Sequence, residues 1–280
     1  MIHKRLNVVE SIPTFPEILT KVMTVVDDPD ASAYDVANVV SKDPSLVSAV
    51  LKVVNSPFYG MSREVSSVGQ AVILLGFRTI RNLVLSTTLL QSFGGPSRNR
   101  QFNRKALWKH AIATGGAAKQ LAVRAKHDPE QAFHAGLMHD MGCVVLDQCF
   151  PEEFGQVLDY LAREDVSLSR AEMEVLGIDH AEIGRLVCQK WNFPKGITEA
   201  IGFHHKPGEA PGDGIGACLI HVGDKIAGRL GLDAGLGAED DGIDVGALKK
   251  LGLEDPLPAE ILEASLEEYQ RANIFAGLMT

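Results

Sequence analysis

Residues 41–60 read SKDPSLVSAVLKVVNSPFYG, and this stretch carries its own start, period and stop. Asp43 before Pro44 marks a helix N-terminus: the carboxylate can accept from the orphan amides of the first turn, and proline's missing N–H costs nothing at the first helical position. Leu46, Val47, Val50, Leu51 and Val54 then recur at the three- and four-residue spacing of one helix face. Asn55-Ser56-Pro57 ends the run. Strand alternation is hard to find here or elsewhere, so the chain is expected to be all-α.

The same reading extends outward. Ser32 with Asp35 three residues on marks a second start, leading into Val36, Val39 and Val40, and Ile18, Val22 and Val25 share another face. A further helix is expected from about Val68 through Phe93, carrying Ala71, Ile73, Leu74, Leu75, Ile80, Leu83, Val84 and Leu89, with Gly76 as its point of division. Residues 94–101, GGPSRNRQ, have the composition of a boundary between packed units. Beyond it, helical segments are expected near 103–126, 129–150, 151–164, 169–177, 179–191, 194–205 and 215–230. A Gly-rich acidic loop, GLDAGLGAEDDG, follows. The tail PAEILEASLEEYQRANIFAGLM is expected to form a helix that packs on the body or on a second copy, which makes a homodimer one expectation. The organisation is thus an N-terminal helical lobe (1–95), a second helical lobe (100–230), and a loop with a C-terminal helix (231–280).

The bulk properties exclude several function classes. A chain of 280 residues, 45% hydrophobic, can bury one large core or two smaller ones. With 27 Lys+Arg against 36 Asp+Glu, the formal charge of -9 supplies no drive toward a phosphate backbone or an anionic leaflet. The one basic cluster, Arg98, Arg100, Arg104 and Lys105, adjoins Gly94, Gly95 and Pro96 and reads as a solvated connection. Neither nucleic acid nor membrane is expected as a partner. Cys143, Cys149, Cys188 and Cys218 lack CxxC spacing and read as reduced thiols. No secretory segment or membrane-length apolar run is evident, so a cytoplasmic location is expected.

Seven side chains carry the chemistry: His110, the pair His139-Asp140, His180, the pair His204-His205, and Asp224. Imidazole offers a neutral nitrogen and aspartate can bridge two cations, so the set suits iron, manganese or zinc. Adjacent residues differ by roughly 100° around a helix, so both members of a pair reach one point only near a helix end or bend. Gly142 after the first pair and Lys206-Pro207-Gly208 after the second are consistent with such ends.

From His110 to Asp224 the segments LWKH, GLMHDMG, DHAEIGRL, AIGFHH and LIHVGDKIA resemble the HD superfamily, specifically its HDOD branch, the HD-related output domain. SIPTFPEIL, SKDPSLVSAVLKVVNSPFYG and AVILLGFRTIRNLVL resemble the amino-terminal half of the same family, so the likeness covers roughly residues 10–230. The resemblance implies a two-lobed helical bundle whose C-terminal lobe is HD-like. Such domains occur in bacterial signalling proteins, alone or attached to receiver modules, and a stand-alone form is expected here.

Against the related HD-GYP phosphodiesterases, the chain matches every ligand position. The resemblance implies a dinuclear centre of iron or manganese, with zinc as the alternative. His139, Asp140 and Asp224 would be its core, with Asp140 bridging. His110 and His180 would complete one or both ions, and His204 and His205 would serve the second. Three departures weigh against catalysis. The lysine of their HDxGK motif is Cys143 here, no Gly-Tyr-Pro follows His205, and Ala106 stands where some members carry a glutamate for a third metal. The expected function is therefore a signal-transduction module acting through signalling-protein partners, with a retained metal site and no catalytic residue assigned. The alternative is a metal-dependent phosphohydrolase acting on a nucleotide, a cyclic dinucleotide or another phosphate-containing small molecule.

Remaining residues receive structural readings. His221 reads as a buried or capping histidine rather than a partner of Asp224, His134 as uninvolved, and Cys143 as an inert thiol. Trp108, Trp191, Phe193 and Phe203 read as core anchors. The use of Asn55, Ser56 and Phe58 is left open.

Overall fold

The computed structural model describes residues 8–11, 17–26, 28, 30–92, 96–236 and 242–272. Among them the chain is all-α, with helices and one turn of 3-10 helix at Pro207–Glu209 and no β-strand. In chain order the helices are α1 (Val8–Ser11), α2 (Glu17–Val26), α3 (Ala33–Val40), α4 (Pro44–Val54), α5 (Val68–Ser92), α6 (Arg104–Arg124), α7 (Pro129–Met138) and α8 (Met141–Cys149). There follow α9 (Pro151–Leu161), α10 (Leu168–Leu176), α11 (His180–Lys190), α12 (Lys195–Gly202), α13 (Ile215–Arg229), α14 (Val245–Leu251) and α15 (Ala259–Ala272). None of the described helices is long and apolar enough to cross a membrane. The chain divides into two compact units, one of residues 14–94 and 270–280, the other of residues 1–13 and 95–269.

In the smaller unit, the caps form as the side chains dictate. Asp43 Oδ1 accepts from the amides of Ser45 (3.0 Å) and Leu46 (3.1 Å), and Ser32 and Asp35 close a reciprocal capping box on α3. The faces they launch bury Val36, Val39 and Val40 on α3 and Leu46, Ala49, Val50, Val53 and Val54 on α4. Gly76, at φ 81° and ψ 162°, breaks α5 into two stretches with a backbone conformation that only glycine adopts freely. Ile73 and Leu74, read from sequence as part of one apolar face, lie exposed just before this break, at 76% and 54%. Asn55 has a clear structural use. Its side-chain amide donates to Val65 O (2.8 Å) and its Oδ1 accepts from Val65 N (2.7 Å), closing the loop between α4 and α5 as a backbone bridge would.

The larger unit is built on α6, α7 and α13. Glycines let these backbones meet. A Cβ on Gly136 would lie 2.6 Å from Gly115 Cα, and one on Gly223 would lie 3.0 Å from Thr114 O. The segment read as one helix over 129–150 is two, because the chain turns at His139-Asp140 between α7 and α8. In the stretch read as loop and tail, α14 was not anticipated. It starts at an Asp244 cap and belongs, with most of α15, to the larger unit. Trp191 is fully buried, Trp108 and Phe193 nearly so, and Phe203 is half-buried.

Candidate metal centre

Each of the seven side chains stands where helix geometry can aim it. His110 and Asp224 project from the interiors of α6 and α13. His139 is the C-cap of α7 and Asp140 the N-cap of α8, so the bend between the helices turns both members of the pair to one point. His180 is the first residue of α11 behind an Asp179 cap, and His204 and His205 follow the end of α12. At the junction of α8 and α11 a Cβ on Gly142 would lie 2.1 Å from His180 O, so only glycine lets α8 approach this closely.

The structure brings all seven together around Asp140. Its Oδ1 lies 3.2 Å from His139 Nε2, 3.2 Å from His180 Nε2 and 3.9 Å from His204 Nε2, and its Oδ2 lies 3.7 Å from His110 Nε2. His110 Nε2 is also 3.0 Å from Asp224 Oδ1, and His205 Nε2 is 2.8 Å from His180 Nε2. The potential ligand atoms fall into two main groups, each within 4.8 Å: His110, His139 and Asp224, and His180, His204 and His205. Asp140 adjoins both. His180 thus groups with the His204-His205 pair, and His110 with His139 and Asp224.

The far side of each ring explains why these groups fit cations. Nδ1 of His110 meets Leu232 O (3.0 Å), that of His139 meets Gly136 O (2.7 Å), and that of His204 meets Ile201 O (2.6 Å). A carbonyl oxygen only accepts, so each Nδ1 carries a proton and each Nε2 is turned inward toward the carboxylates of Asp140 and Asp224. Lone pairs converging on a carboxylate require a cation among them. A proton can serve for some rings. Burial opposes the charge on His110, but the hydrogen bond and charge of Asp224 raise it to about 9. His204 cannot be served so: burial, with His139 and His180 nearby, pushes it down to about 3, and its fully buried Nε2 has no hydrogen-bond partner. That orphaned lone pair, with the mixed imidazole and carboxylate donors, is what a divalent-metal site presents. Burial likewise opposes the charge of Asp140, yet His139 and His180 hold its carboxyl well below the usual range.

Of three supporting groups, Glu172 and Leu232 were not read from sequence, and His221 was read as a buried or capping histidine, as it is. Glu172, on α10 and fully buried, accepts from both the backbone N (2.8 Å) and Nδ1 (2.6 Å) of His180. This carboxylate fixes the ring and aims its Nε2 inward, a common arrangement behind metal-ligating histidines. Burial works against the charge on His180, and Glu172 and the hydrogen bond to Asp140 raise its basicity well above the ordinary value. His221 braces the site from behind: its Nε2 accepts from Asp244 N (2.9 Å), so its Nδ1 donates to His204 O (2.8 Å). It orients the His204 backbone and the start of α14, not Asp224. Leu232 supplies the carbonyl that holds His110. A signal for Glu172 existed, since it shares an apolar face with Leu168, Ala171 and Leu176. The carbonyl partners had none.

Cys143 lies beside the centre. Its sulfur, an Asp140 oxygen and a His180 nitrogen fall within 4.8 Å of one another, and burial raises the thiol to about 12, keeping it neutral without metal. His134 is fully buried elsewhere and touches Phe133 edge-on. Over the cluster opens a cavity of about 300 Å³, bordered by His110, Asp140, His180, His205, Asp224 and Lys225 among others.

Comparison with known proteins agrees with this architecture. Residues 12–207 match the HDOD domain family. An uncharacterized protein of Treponema pallidum (strain Nichols) is 31% identical over 208 residues, which are 72% of this chain but 39% of that protein. The chain therefore spans well under half of this relative. An HDOD domain protein of unknown function from Geobacter sulfurreducens has 24% identity and a TM-score of 0.76, with 98% of both chains covered. A Marinobacter aquaeolei VT8 protein, provisionally named a signal transduction protein, has 27% identity and a TM-score of 0.76, with 97% of this chain and 60% of that chain covered. A Shewanella amazonensis SB2B protein, provisionally named a phosphohydrolase, matches at 23% identity and a TM-score of 0.76, with coverage of 97% and 96%. With its two helical units, its H, HD, H, HH, D cluster and a family match over most of its length, the chain belongs to the HDOD domain family.

Proposed function

We propose that this protein is a signal-transduction module whose larger unit retains a dinuclear metal centre for structure or sensing, and that its output is contact with signalling proteins. The observation that carries the reading is the position of Cys143. The ligand set is complete around Asp140, yet a buried thiol, raised to about 12, stands where the resembling phosphodiesterases place a phosphate-neutralising lysine. Such a centre keeps its metal affinity and loses charge stabilisation of a reacting phosphoryl group. The name of the Marinobacter relative points the same way.

In this reading His110, His139 and Asp224 would hold one ion and His180, His204 and His205 the other, with Asp140 adjoining both groups. Iron or manganese suits these donors, with zinc the alternative. Bound ions would supply Lewis-acid stabilisation of negative charge on an oxygen ligand. Glu172 and the three carbonyls orient the rings, and Asp140 offsets part of the cationic charge.

A metal-dependent phosphohydrolase is the second reading, favoured by the cavity that opens directly on Asp140, His110, His180 and Asp224. The two are separated by purifying the protein without chelator, measuring its metal, and assaying hydrolysis of nucleotides and cyclic dinucleotides beside an Asp140→Ala variant. The expected result is up to about two ions per chain, lost in the variant, with no turnover and a partner recovered by pull-down from a bacterial lysate. Metal-dependent turnover abolished in Asp140→Ala would reverse the order of the readings. Absence of metal in the unaltered protein would sink both.

A further inference from the structure

Cys143 sits in the first turn of α8, three residues after Asp140, and its amide donates to Asp140 O at 3.0 Å, so the two side chains emerge close together. The thiol is completely buried, yet two of its neighbours are candidate ligands: its sulfur, an Asp140 oxygen and a His180 nitrogen lie within 4.8 Å of one another, the same separation that defines the two groups above. Cys188, nearly as buried, joins no such group among the described residues. Metal bonds of about 2.3 Å to sulfur and about 2.1 Å to imidazole place two donors on one ion about 3.5–4.4 Å apart, which this group reaches with at most a small inward shift. His180 also belongs with His204 and His205, and the fully buried His204 Nε2, without a hydrogen-bond partner, points at Asp140 Oδ1 from 3.9 Å. The sulfur thus borders the ion position that an orphaned imidazole already marks.

We infer that Cys143 is itself a ligand, bound as a thiolate to the ion assigned to His180, His204 and His205, and that this half of the centre takes zinc or iron(II) in preference to manganese. The inference rests on the metal-centre reading above. The other ion has an anionic donor of its own in Asp224, whereas imidazoles are neutral donors, and thiolate sulfur gives this ion the counterpart. Glu172 does not fill that place, because its carboxylate contacts the backbone N and Nδ1 of His180, on the far side of the ring from the cluster. Coordination exchanges the S–H bond for a sulfur–metal bond and releases the proton to solvent. Soft sulfur suits zinc and iron, while manganese prefers oxygen donors. The cysteine that stands in place of lysine therefore trades a charge directed at a substrate for a donor directed at the metal.

The test loads chelator-stripped protein anaerobically with cobalt(II), which accepts the donors of zinc and shows a near-ultraviolet charge-transfer band when sulfur is bound. Cys143→Ser, Cys143→Ala and, as a control outside the cluster, Cys149→Ser are treated alike, with bound cobalt measured on each sample. The unaltered protein and Cys149→Ser should show the band. Both Cys143 variants should lose it while still binding cobalt through the remaining donors. Their zinc affinity, measured by competition with a chelator, should fall by at least roughly 10–100-fold, and their manganese affinity by less. Cobalt bound to the unaltered protein without the band overturns ligation by Cys143 and leaves the metal-centre reading standing. A band that survives in both Cys143 variants assigns the sulfur elsewhere and overturns it as well, and equal losses for zinc and manganese overturn the preference between metals. Unaltered protein that binds no cobalt overturns the metal-centre reading and this inference with it.

Discussion

Glu172 shows how far a residue can act without touching a ligand. It is fully buried, and burial raises its pKa while His180 pulls it down. Both contacts to His180 run through one oxygen, Oε2, so the carboxylate fixes the backbone and the ring of that residue together. Glu172→Gln keeps the shape and an acceptor but removes the charge that polarises the imidazole. Metal affinity of this variant, measured by competition with a chelator, should fall roughly 10–100-fold while the far-ultraviolet dichroism is unchanged. Unchanged affinity would reduce Glu172 to a packing residue. The sequence showed the ligands more readily than their supports for a physical reason. A histidine or aspartate announces itself by type, whereas Leu232 O, Gly136 O and Ile201 O belong to residues whose side chains carry no information about what their carbonyls hold.

At the scale of elements, the local signals were the legible ones. Asp43-Pro44 and Ser32 with Asp35 gave the starts of α4 and α3 correctly, since a cap is a contact between near neighbours. Gly76 divided α5 as its lack of a side chain allows. The apolar pattern gave no sign of the turn at His139-Asp140, because Met138, Met141, Val144 and Val145 continue across it, and only the need of the adjacent pair to reach one point called for a helix end or bend there. What enforces that turn is tertiary: α8 must seat against the start of α11, and Gly142 is where the two backbones meet. Gly142→Ala is therefore expected to displace His180 from Asp140. The variant should lose about 1–3 kcal/mol of stability in urea unfolding and bind metal substoichiometrically. Gly208→Ala, whose added carbon would meet nothing within 4 Å, should match the parent in both measurements. Full metal content in Gly142→Ala would show that the junction tolerates the displacement.

On the scale of the whole chain, the seven clustered side chains draw on α6, α11 and α13 and on the ends of α7, α8 and α12, with α10 behind them, all within the larger unit. The clustered rings and carboxylates offset one another's charge only partly. His204 and His205 are pushed down by burial, and the fully buried His204 Nε2 lacks a hydrogen-bond partner, so the metal-free unit holds polar groups that water cannot reach. Metal binding therefore relieves a cost spread over the unit and should appear as global stability of that unit, not as a local effect. The chain's two tryptophans, Trp108 and Trp191, are both buried there, so intrinsic fluorescence reports on this unit. With metal at about a hundred times its dissociation constant, linkage adds about 2.7 kcal/mol, which for a unit of this size raises the fluorescence melting midpoint by roughly 5–10 °C. Removing metal by chelation should lower the midpoint by that amount, and manganese, iron(II) or zinc should restore it in the order of their affinities. Asp140→Ala should melt at one temperature with or without chelator. A parent protein whose midpoint ignores chelation would mean that the seven side chains converge without holding metal.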